Sequence, residues 1–244
     1  MQAQIAKTEL ISEECKHHAK IYFAGCDLNC PNCNTQEMLI ATEEHTMELK
    51  DLKNILRGQQ QDGVIFTGGE PCLQRQAIIS IAGFSKDMKL GTVLETNGTK
   101  TECIRSLLRL SLLDAIVMDM KAPLEPEPFE KATRSKTFFK TTESLITDIK
   151  RTLRLLKENQ NSIKIEFRTT ITPNLISRKE DLYKIAEEIQ DIECIWSLQQ
   201  FRPENTSRRY REINPPSEEF LFNLKEAVTG AYPNIRIFVE PGLS

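Results

Sequence analysis

The chain has 244 residues, of which 39% are hydrophobic and 27% are charged, as is typical of a soluble protein that buries a sizeable core. Its formal net charge of −3 excludes a general electrostatic attraction to nucleic acid or to an anionic membrane. No apolar stretch approaches the roughly 20 residues that span a bilayer, and the N-terminus lacks the apolar core of a secretory signal, so we expect a cytoplasmic protein.

Strand-like segments alternate with helix-like segments along the chain. The predicted strands cover residues 20–24, 64–66, 90–95, 115–120, 163–171, 194–198 and 235–239. The predicted helices cover residues 47–58, 74–84, 145–156, 177–189 and 217–228, and a further helix begins at Thr101. Ser177 to Glu180 has the sequence of a capping box, and the Pro- and Glu-rich segment 122–129 is predicted to lack regular structure.

Six successive strand–helix units indicate parallel strands joined by right-handed crossovers. Six units are too few for a closed eight-fold barrel. We see no internal repeat or linker, so we predict a single domain over residues 1–244, with a core at about 20–205 and a C-terminal helix and strand within 217–240. In such folds the chemistry lies at the carboxyl ends of the strands.

Cys26, Cys30 and Cys33 follow the first predicted strand and are spaced three and then two residues apart. Thiolates favour iron–sulfur clusters, and the lack of a fourth local cysteine would leave one iron open to an exogenous molecule. A zinc site is the first alternative, with His17 or His18 as fourth ligand, but it would leave the asymmetric spacing unexplained. A disulfide framework does not fit seven cysteines, and we interpret the dispersed ones as ordinary reduced thiols: Cys15, Cys72, Cys103 and Cys194.

Gly68, Gly69 and Glu70 end the second predicted strand. Glycines there allow unusual backbone dihedrals and the close approach of a ligand to the main chain. A carboxylate can accept a charge-assisted hydrogen bond from an ammonium group. The alternative for an isolated motif of this kind is a strand-to-helix turn with a solvated glutamate.

Polar or ionisable side chains lie at or just beyond the carboxyl ends of the next four predicted strands, and these are Asn97, Lys121, Arg168 and Gln200. Each has an ordinary interpretation as a turn residue or a solvated charge. Their common position at strand ends favours a shared pocket.

The segments FAGCDLNCPNC, FTGGEP, ETNGT, MDMKAP, FRTTITP and LQQFRPENT resemble the radical S-adenosylmethionine (SAM) superfamily. Within it they are most similar to activating enzymes of glycyl-radical enzymes, particularly the activating proteins of anaerobic ribonucleotide reductase. The resemblance spans about residues 20–205. It implies an α/β fold, an open (β/α)6 partial TIM barrel.

The resemblance also implies the cofactors, a 4Fe–4S cluster and SAM, and a role for each site residue. Cys26, Cys30 and Cys33 would bind three irons, with SAM on the fourth. The SAM amine would be received by Gly68, Gly69 and Glu70, and the rest of SAM would contact Asn97, Lys121, Arg168 and, at the nucleoside, Gln200. A monovalent cation near SAM would be held by Glu95, Thr96 and Asp119. Asn32 departs from the family, which usually has an aromatic residue at that position.

The implied activity is the reductive cleavage of SAM to a 5′-deoxyadenosyl radical, which would take a hydrogen atom from a glycine of a partner enzyme. A flavodoxin or ferredoxin would supply the electron, and the glycine-bearing partner would be an enzyme such as anaerobic ribonucleotide reductase. The partner would contact segment 122–130 and the arginines Arg202, Arg208, Arg209 and Arg211, unless these are simply solvated.

Two other functions stay open at this point. One is a small-molecule radical SAM enzyme such as a 7-carboxy-7-deazaguanine synthase, for which Thr35 occupies the position of a magnesium-binding threonine. The other is a non-catalytic iron–sulfur electron carrier, in which the Gly68–Glu70 motif would have no purpose.

Overall fold

The computed structural model describes residues 1–13, 16–135 and 140–242. The chain divides into two compact units, each built from several segments. The first unit comprises Met1–Asp27, Glu37–Thr96 and Lys100–Val117, and the second comprises Leu28–Gln36, Asn97–Thr99 and Met118–Ser244. No helix within the described residues is long and apolar enough to cross a membrane.

The first unit contains five strands in the order β3-β1-β2-β4-β5. They are β1 (Gln2–Glu13), β2 (Lys16–Phe23), β3 (Thr46–Glu48), β4 (Gly63–Gly68) and β5 (Gly91–Thr96). β1 pairs antiparallel with β2 and β3, whereas β2, β4 and β5 are parallel. Three helices follow these strands: α1 (Leu49–Gly58), α2 (Arg75–Asp87) and α3 (Thr101–Arg109). The predicted segments 64–66 and 90–95 therefore correspond to β4 and β5.

The apolar run of β4 is buried on both faces of the sheet. Val64 and Phe66 are fully buried, and Ile65 is 8% exposed. A strand that is apolar at successive positions is typical of a parallel sheet that is covered on both sides. The parallel register, in which Phe66 lies between Ile21 of β2 and Leu94 of β5, brings the carboxyl ends of these strands to one edge.

β6 (Ala115–Asp119) comes next along the chain. The second unit then contains α4 (Pro126–Thr133), α5 (Thr142–Asn159), β7 (Lys164–Ile171), α6 (Lys179–Ile189), β8 (Ile195–Gln200), α7 (Arg208–Arg211), α8 (Glu218–Ala231) and β9 (Arg236–Glu240). β7, β8 and β9 are parallel neighbours. An α-helix follows each strand from β4 to β8, which confirms the predicted alternation of strands and helices, whereas β2 is separated from α1 by the cysteine loop and β3.

Trp196 is fully buried in β8 and ties two strand segments of the second unit together. Its indole Nε1 donates a hydrogen bond to Thr169 Oγ1 at 3.0 Å. Thr169 Oγ1 donates in turn to the carbonyl oxygen of Met120 at 2.9 Å. A buried indole N–H needs such an acceptor, and this chain of bonds fixes the backbone directly before Lys121.

Two expectations about local structure are wrong, and three elements were not expected. Segment 122–129 is not irregular throughout, because α4 begins at Pro126. Pro126 and Pro128 lie in the first helical turn, where backbone N–H groups have no intrahelical acceptor and proline therefore costs little.

The capping box expected at Ser177 is also absent. Arg178 occupies the N-cap of α6 and makes no capping bond with its side chain. Its guanidinium instead pairs with Asp181 in the first turn, at 3.1 Å. The sequence pattern is thus displaced by one residue from the helix start.

The long N-terminal strand β1 was not predicted, and neither were β3 and α7. Ala3 and Ile5 of β1 are buried at alternate positions, which is the pattern of a half-buried strand. Beyond Ile5 this alternation is interrupted by Lys7 and Thr8 at an irregularity in the pairing with β2, so the sequence signal is short.

Candidate functional site

The loop that carries the three cysteines begins in the first unit, where backbone hydrogen bonds hold its start. Gly25 N donates to Met38 O at 2.7 Å, and Cys26 N donates to Leu39 O at 3.1 Å. Gly25 has a φ of +96°, a conformation that favours glycine. The main chain at Cys26 is therefore fixed by the segment that follows the cysteine motif.

The remainder of the loop, residues 28–36, belongs to the second unit. Asn29 N donates to Thr133 O at 2.9 Å, and the Pro31 carbonyl accepts from Ser207 Oγ at 2.7 Å. Cys33 N donates to Cys30 O at 3.1 Å, which closes a tight turn. These bonds attach the loop to the end of α4 and to the segment before α7.

Asn32, which stands where an aromatic residue is usual, has a structural partner. Its Nδ2 donates to Thr172 Oγ1 at 2.9 Å, just beyond the end of β7. Thr172 is fully buried, so this is a shielded bond between two sites far apart in sequence. The Asn32 side chain thus fixes the loop through a hydrogen bond to the end of β7.

None of the three cysteines of the loop forms a disulfide bond within the described residues. Cys30 is buried, whereas Cys26 and Cys33 are partly exposed. Burial raises the pKa of the Cys30 thiol to about 11, although the nearby Lys121 ammonium lowers it. A thiolate at this position therefore needs positive charge beside it, as bound iron would provide, so the donor set fits an iron–sulfur cluster.

Within residues 1–13, 16–135 and 140–242, no group of three or more His, Cys, Asp or Glu side chains is arranged to hold a single metal ion. This does not conflict with the cluster, because a 4Fe–4S cube binds each thiolate at a different iron. The zinc alternative is disfavoured on a different ground, because His17 and His18 lie near the beginning of β2 whereas Cys26 follows the end of that strand.

Lys121 lies directly after β6 and pairs with Asp119 at its end. Its Nζ donates to Asp119 Oδ2 at 2.8 Å, and its side chain is 28% exposed. Burial disfavours the charged form, but the Asp119 carboxylate and the thiols of Cys30 and Cys33 more than offset this and raise the pKa of Lys121. Lys121 is therefore a permanent cation beside two of the three cysteines.

Gly68 and Gly69 are positions that no larger residue could occupy without displacement. A Cβ on Gly68 would lie 2.5 Å from Phe23 O, and one on Gly69 would lie 2.2 Å from Gly25 O. Gly69 N donates to Phe23 O and Glu70 N donates to Gly25 O, both at 2.8 Å. The two glycines thus let β4 end directly against the beginning of the cysteine loop.

Glu70 is fully buried, so it is not the solvated residue of an ordinary turn. Its Oε1 accepts from Cys72 N at 2.9 Å, which caps the short 3-10 helix Pro71–Gln74, and from Thr96 Oγ1 at 2.8 Å. The carboxylate therefore joins the end of β4 to the end of β5. The half-exposed part of the motif is its glycine pair.

The three residues expected around a monovalent cation have other partners. Thr96 donates to Glu70, as described above, and Glu95 Oε2 accepts from Thr67 Oγ1 at 2.6 Å. Asp119 accepts from Lys121. The cation site stays a prediction.

Asn97 is buried and its side chain shapes the turn after β5. Its Oδ1 accepts from Thr99 N at 3.0 Å and from Thr99 Oγ1 at 2.8 Å. Gly98 follows with a φ of +79°, and a Cβ there would lie 2.3 Å from Met118 Cε. The Asn97-Gly98 turn is thus a rigid element of the second unit.

Arg168 and Gln200 lie on β7 and β8 and are held by neighbouring groups. Arg168 Nε donates to Glu166 Oε1 at 2.8 Å. Gln200 Nε2 donates to Pro216 O at 2.7 Å, and Gln200 Oε1 accepts from Gly242 N at 2.5 Å.

Gln200 also lines an open cavity of about 590 Å³ in the second unit. Asn34, which directly follows Cys33, is one of the residues that line the cavity. The other lining residues include Phe201, Arg202, Glu204 and Glu218. Its size is within the range of small-molecule sites.

The structure thus brings Glu70 and Thr96 together in the first unit, and Cys30, Cys33, Asp119 and Lys121 in the second. The sequence did not indicate that Thr172 would hold Asn32, since no local pattern links residues so far apart. Of the dispersed cysteines, Cys72, Cys103 and Cys194 are free and buried, and Cys15 lies outside the described residues.

Residues 16–146 match the family described as a 4Fe-4S single cluster domain. A Methanocaldococcus jannaschii protein named for glycyl-radical enzyme activation is 27% identical over 91% of this chain and 89% of its own length. A 7-carboxy-7-deazaguanine synthase of the same organism is 29% identical over 85% of this chain and 82% of its own length.

Among solved structures, a radical SAM methyltransferase from Sphaerobacter thermophilus superposes with a TM-score of 0.72 at 14% identity, over 97% of this chain and 70% of that one. This likeness concerns the fold. The mostly parallel sheet is not closed, and the predicted open partial barrel is confirmed. The chain therefore belongs to the 4Fe-4S single cluster domain family and to the radical SAM superfamily, whose cofactors are a 4Fe–4S cluster and SAM.

Proposed function

We propose that this radical SAM enzyme activates a glycyl-radical enzyme, by creating a radical on a glycine Cα of a partner such as anaerobic ribonucleotide reductase. The observation that carries the proposal is the match to the M. jannaschii relative named for this activity, which extends over 91% of the chain. We also propose that residues 1–244 act as one domain.

Cys26, Cys30 and Cys33 are the proposed cluster ligands. Lys121 supports this role, because a fixed ammonium beside Cys30 lowers the pKa of that thiol and so favours its thiolate form. When bound, the cluster would supply the one electron for the reductive cleavage of SAM to methionine and a 5′-deoxyadenosyl radical, and the glycine would be the source of the hydrogen atom that this radical takes. A flavodoxin or ferredoxin is the proposed reductant.

The SAM amine is proposed to bind at the half-exposed peptide of Gly68 and Gly69. Glu70 contributes by holding this corner in place, because its buried carboxylate already accepts two hydrogen bonds. Lys121 and Arg168 are proposed to attract the SAM carboxylate, with Asp119 and Glu166 orienting their cationic groups. Asn97 shapes the turn after β5 and is proposed to contact SAM, and Gln200 is proposed to contact the SAM nucleoside.

The partner is proposed to approach the second unit near the 590 Å³ cavity. Arg202 lines this cavity, and the following segment exposes Arg208, Arg209 and Arg211, so an acidic surface would be attracted to this part of the second unit. Segment 122–130 presents Glu125 and Glu127 to solvent, although Glu125 is also paired with Lys184 at 2.8 Å.

The test uses anaerobically reconstituted protein with SAM and dithionite, with and without an anaerobic ribonucleotide reductase. We expect 5′-deoxyadenosine in both cases and a glycyl-radical EPR doublet only with the reductase. Cys30→Ala should produce neither. Formation of 5′-deoxyadenosine without a radical on any glycyl-radical enzyme tested would reject activation while keeping SAM cleavage.

A 7-carboxy-7-deazaguanine synthase activity is the second candidate, and the relative at 29% identity favours it. Thr35, its candidate magnesium ligand, has its hydroxyl 3.4 Å from Cys33 Sγ. Turnover of a purine-like substrate in the absence of any partner protein would support this candidate. The electron-carrier alternative predicts a cluster but no 5′-deoxyadenosine, and membership of the radical SAM superfamily argues against it.

A further inference from the structure

We propose that an ion pair between Asp27 and Lys100 positions the Cys26 end of the cysteine loop before and after the cluster binds. Lys100 Nζ donates a hydrogen bond to Asp27 Oδ2 within the first unit. Asp27 directly follows Cys26, so the pair acts one residue from a proposed ligand. The inference rests on the proposed role of Cys26.

The pair is unusually shielded for this unit. The side chains of Lys100 and Asp27 are 19% and 12% exposed, whereas Lys86 and Asp114, which form another ion pair of the same unit, are 27% and 53% exposed. Shielded charges lose much of their hydration and persist only when they are paired. A pair at this position therefore imposes a defined geometry on the loop more strongly than a surface pair would.

Lys100 is itself held rigidly by the helix that it precedes. It is the N-cap of α3, and its carbonyl oxygen accepts from Cys103 N at 3.0 Å and from Ile104 N at 3.3 Å. The positive end of a helix dipole disfavours an ammonium group, so α3 gains nothing from a lysine at this position. The Asp27 carboxylate offsets the unfavourable interaction between the Lys100 ammonium and the positive end of the α3 dipole. We infer that the contact positions the loop and does not stabilise the helix.

The loop is consequently fastened on both sides of Cys26. On one side the Cys26 N–H donates to Leu39 O at 3.1 Å, and on the other Asp27 is bound to Lys100. Groups that orient metal ligands from outside typically change metal affinity about 10- to 100-fold when they are removed. The pair is thus a positioning device, and neither side chain is a catalytic residue.

The test compares Asp27→Asn, Lys100→Met and the charge-swapped double variant Asp27→Lys/Lys100→Asp. Lys86→Met, which breaks the more exposed pair, is the matched control. Cluster affinity is measured by competition with an iron chelator. In the apo protein, hydrogen exchange at the Cys26 amide is measured, since this readout needs neither cluster nor activity.

We expect each single variant to lose cluster affinity about 10- to 100-fold and to exchange the Cys26 amide faster, while the swapped variant recovers most of both. Lys86→Met should match the wild type. Wild-type affinity and exchange in the single variants would overturn the proposal. If the single variants lose cluster affinity and the charge-swapped variant does not regain it, the proposal is also overturned, because the ion pair would then not be the cause of the loss.

A Cys26→Ala variant separates this inference from the function on which it rests. If Cys26→Ala retains a normal cluster, the proposed ligand set is wrong. If Cys26→Ala loses the cluster while Asp27→Asn keeps it at wild-type affinity, only the positioning role fails.

Discussion

The corner formed by Gly69 and Glu70 in the first unit differs from the group around Cys30 and Lys121 in the second. The buried Glu70 carboxylate already accepts two hydrogen bonds from within the protein. The buried Cys30 thiol has its pKa raised by burial to about 11 and so resists forming the thiolate that iron needs. The Glu70 carboxylate thus has hydrogen-bond partners within the protein alone, whereas the Cys30 thiol needs the positive charge of a cofactor to form its thiolate.

This difference indicates which residues mainly stabilise the folded protein and which mainly take part in cofactor binding. A group whose hydrogen bonds are satisfied internally contributes to the fold, and its removal should be felt in the free energy of unfolding. A buried group whose reactive form is disfavoured in the protein alone is a candidate for cofactor chemistry, and its removal should be felt chiefly in cofactor binding. The following variants probe the two corners in order of expected effect.

The largest effect is expected for Cys30→Ala. We expect 5′-deoxyadenosine formation to fall to background, because a cluster with two protein thiolates is poorly held. The apo protein should unfold at nearly the wild-type temperature, since alanine removes only a small buried side chain. Iron content and thermal unfolding of the apo protein are the measurements. A marked loss of apo stability would contradict the contrast between the corners.

Gly69→Ala should affect the first corner through packing. The added Cβ would lie 2.2 Å from Gly25 O, so we expect a loss of about 1–3 kcal/mol in the free energy of unfolding. Gly83→Ala in α2 is the matched control, because no atom outside its chain neighbours and the backbone of its own helix lies within 4 Å of the added Cβ. It should stabilise the helix by roughly 0.5–1 kcal/mol. Equal effects of the two substitutions in urea unfolding would disprove the close-contact argument.

Thr96→Val tests the internal satisfaction of Glu70. It removes the hydroxyl that donates to Glu70 at 2.8 Å and leaves a buried carboxylate with one partner fewer, at an expected cost of about 1–3 kcal/mol.

Thr67→Val removes the bond to the partly buried Glu95 and should cost less, since water can replace that donor. The ratio of the two losses in chemical denaturation is the relevant result. A larger loss for Thr67→Val would mean that Glu70 is not the residue that anchors this corner.

The smallest effect concerns Cys194, a buried thiol with no proposed cofactor. Burial raises its pKa to about 12, against a small opposing effect of Arg236. Because the folded pKa lies above the unfolded one, the contribution to stability is complete below the ordinary thiol pKa and declines as the pH rises toward 12.

Cys194→Ala should remove part of the alkaline loss of stability, at most about 1.4 kcal/mol per pH unit. Apo unfolding between pH 8 and about 10.5 measures it, with Cys33→Ala as control. Identical alkaline slopes for Cys194→Ala and wild type would show that this thiol does not contribute.

The strands and helices were predicted well wherever a single local sequence pattern determines the type of element. Val64 to Phe66 is an apolar run bounded by glycines, and Ser217 precedes α8 as a helix cap, where its side chain accepts from Phe220 N. Pro126 was misread because composition does not say whether a proline falls in a first helical turn or within a helix.

Within the site, the cysteine triplet was recognisable because its spacing is local. The burial of Glu70 was not recognisable from the sequence, because its partner Thr96 is 26 residues away and only the fold brings the two residues together. The bond from Asn32 to Thr172, 140 residues apart, was hidden for the same reason. Local spacing identifies candidate ligands, whereas the groups that orient them depend on long-range contacts.

Trp196 gives the second unit a built-in optical probe. It is the only tryptophan of the sequence, and its indole is linked through Thr169 to the peptide that precedes Lys121. Emission excited selectively at the indole therefore comes from one known place. An iron–sulfur chromophore nearby would quench it, so cluster assembly can be followed in real time without added dyes.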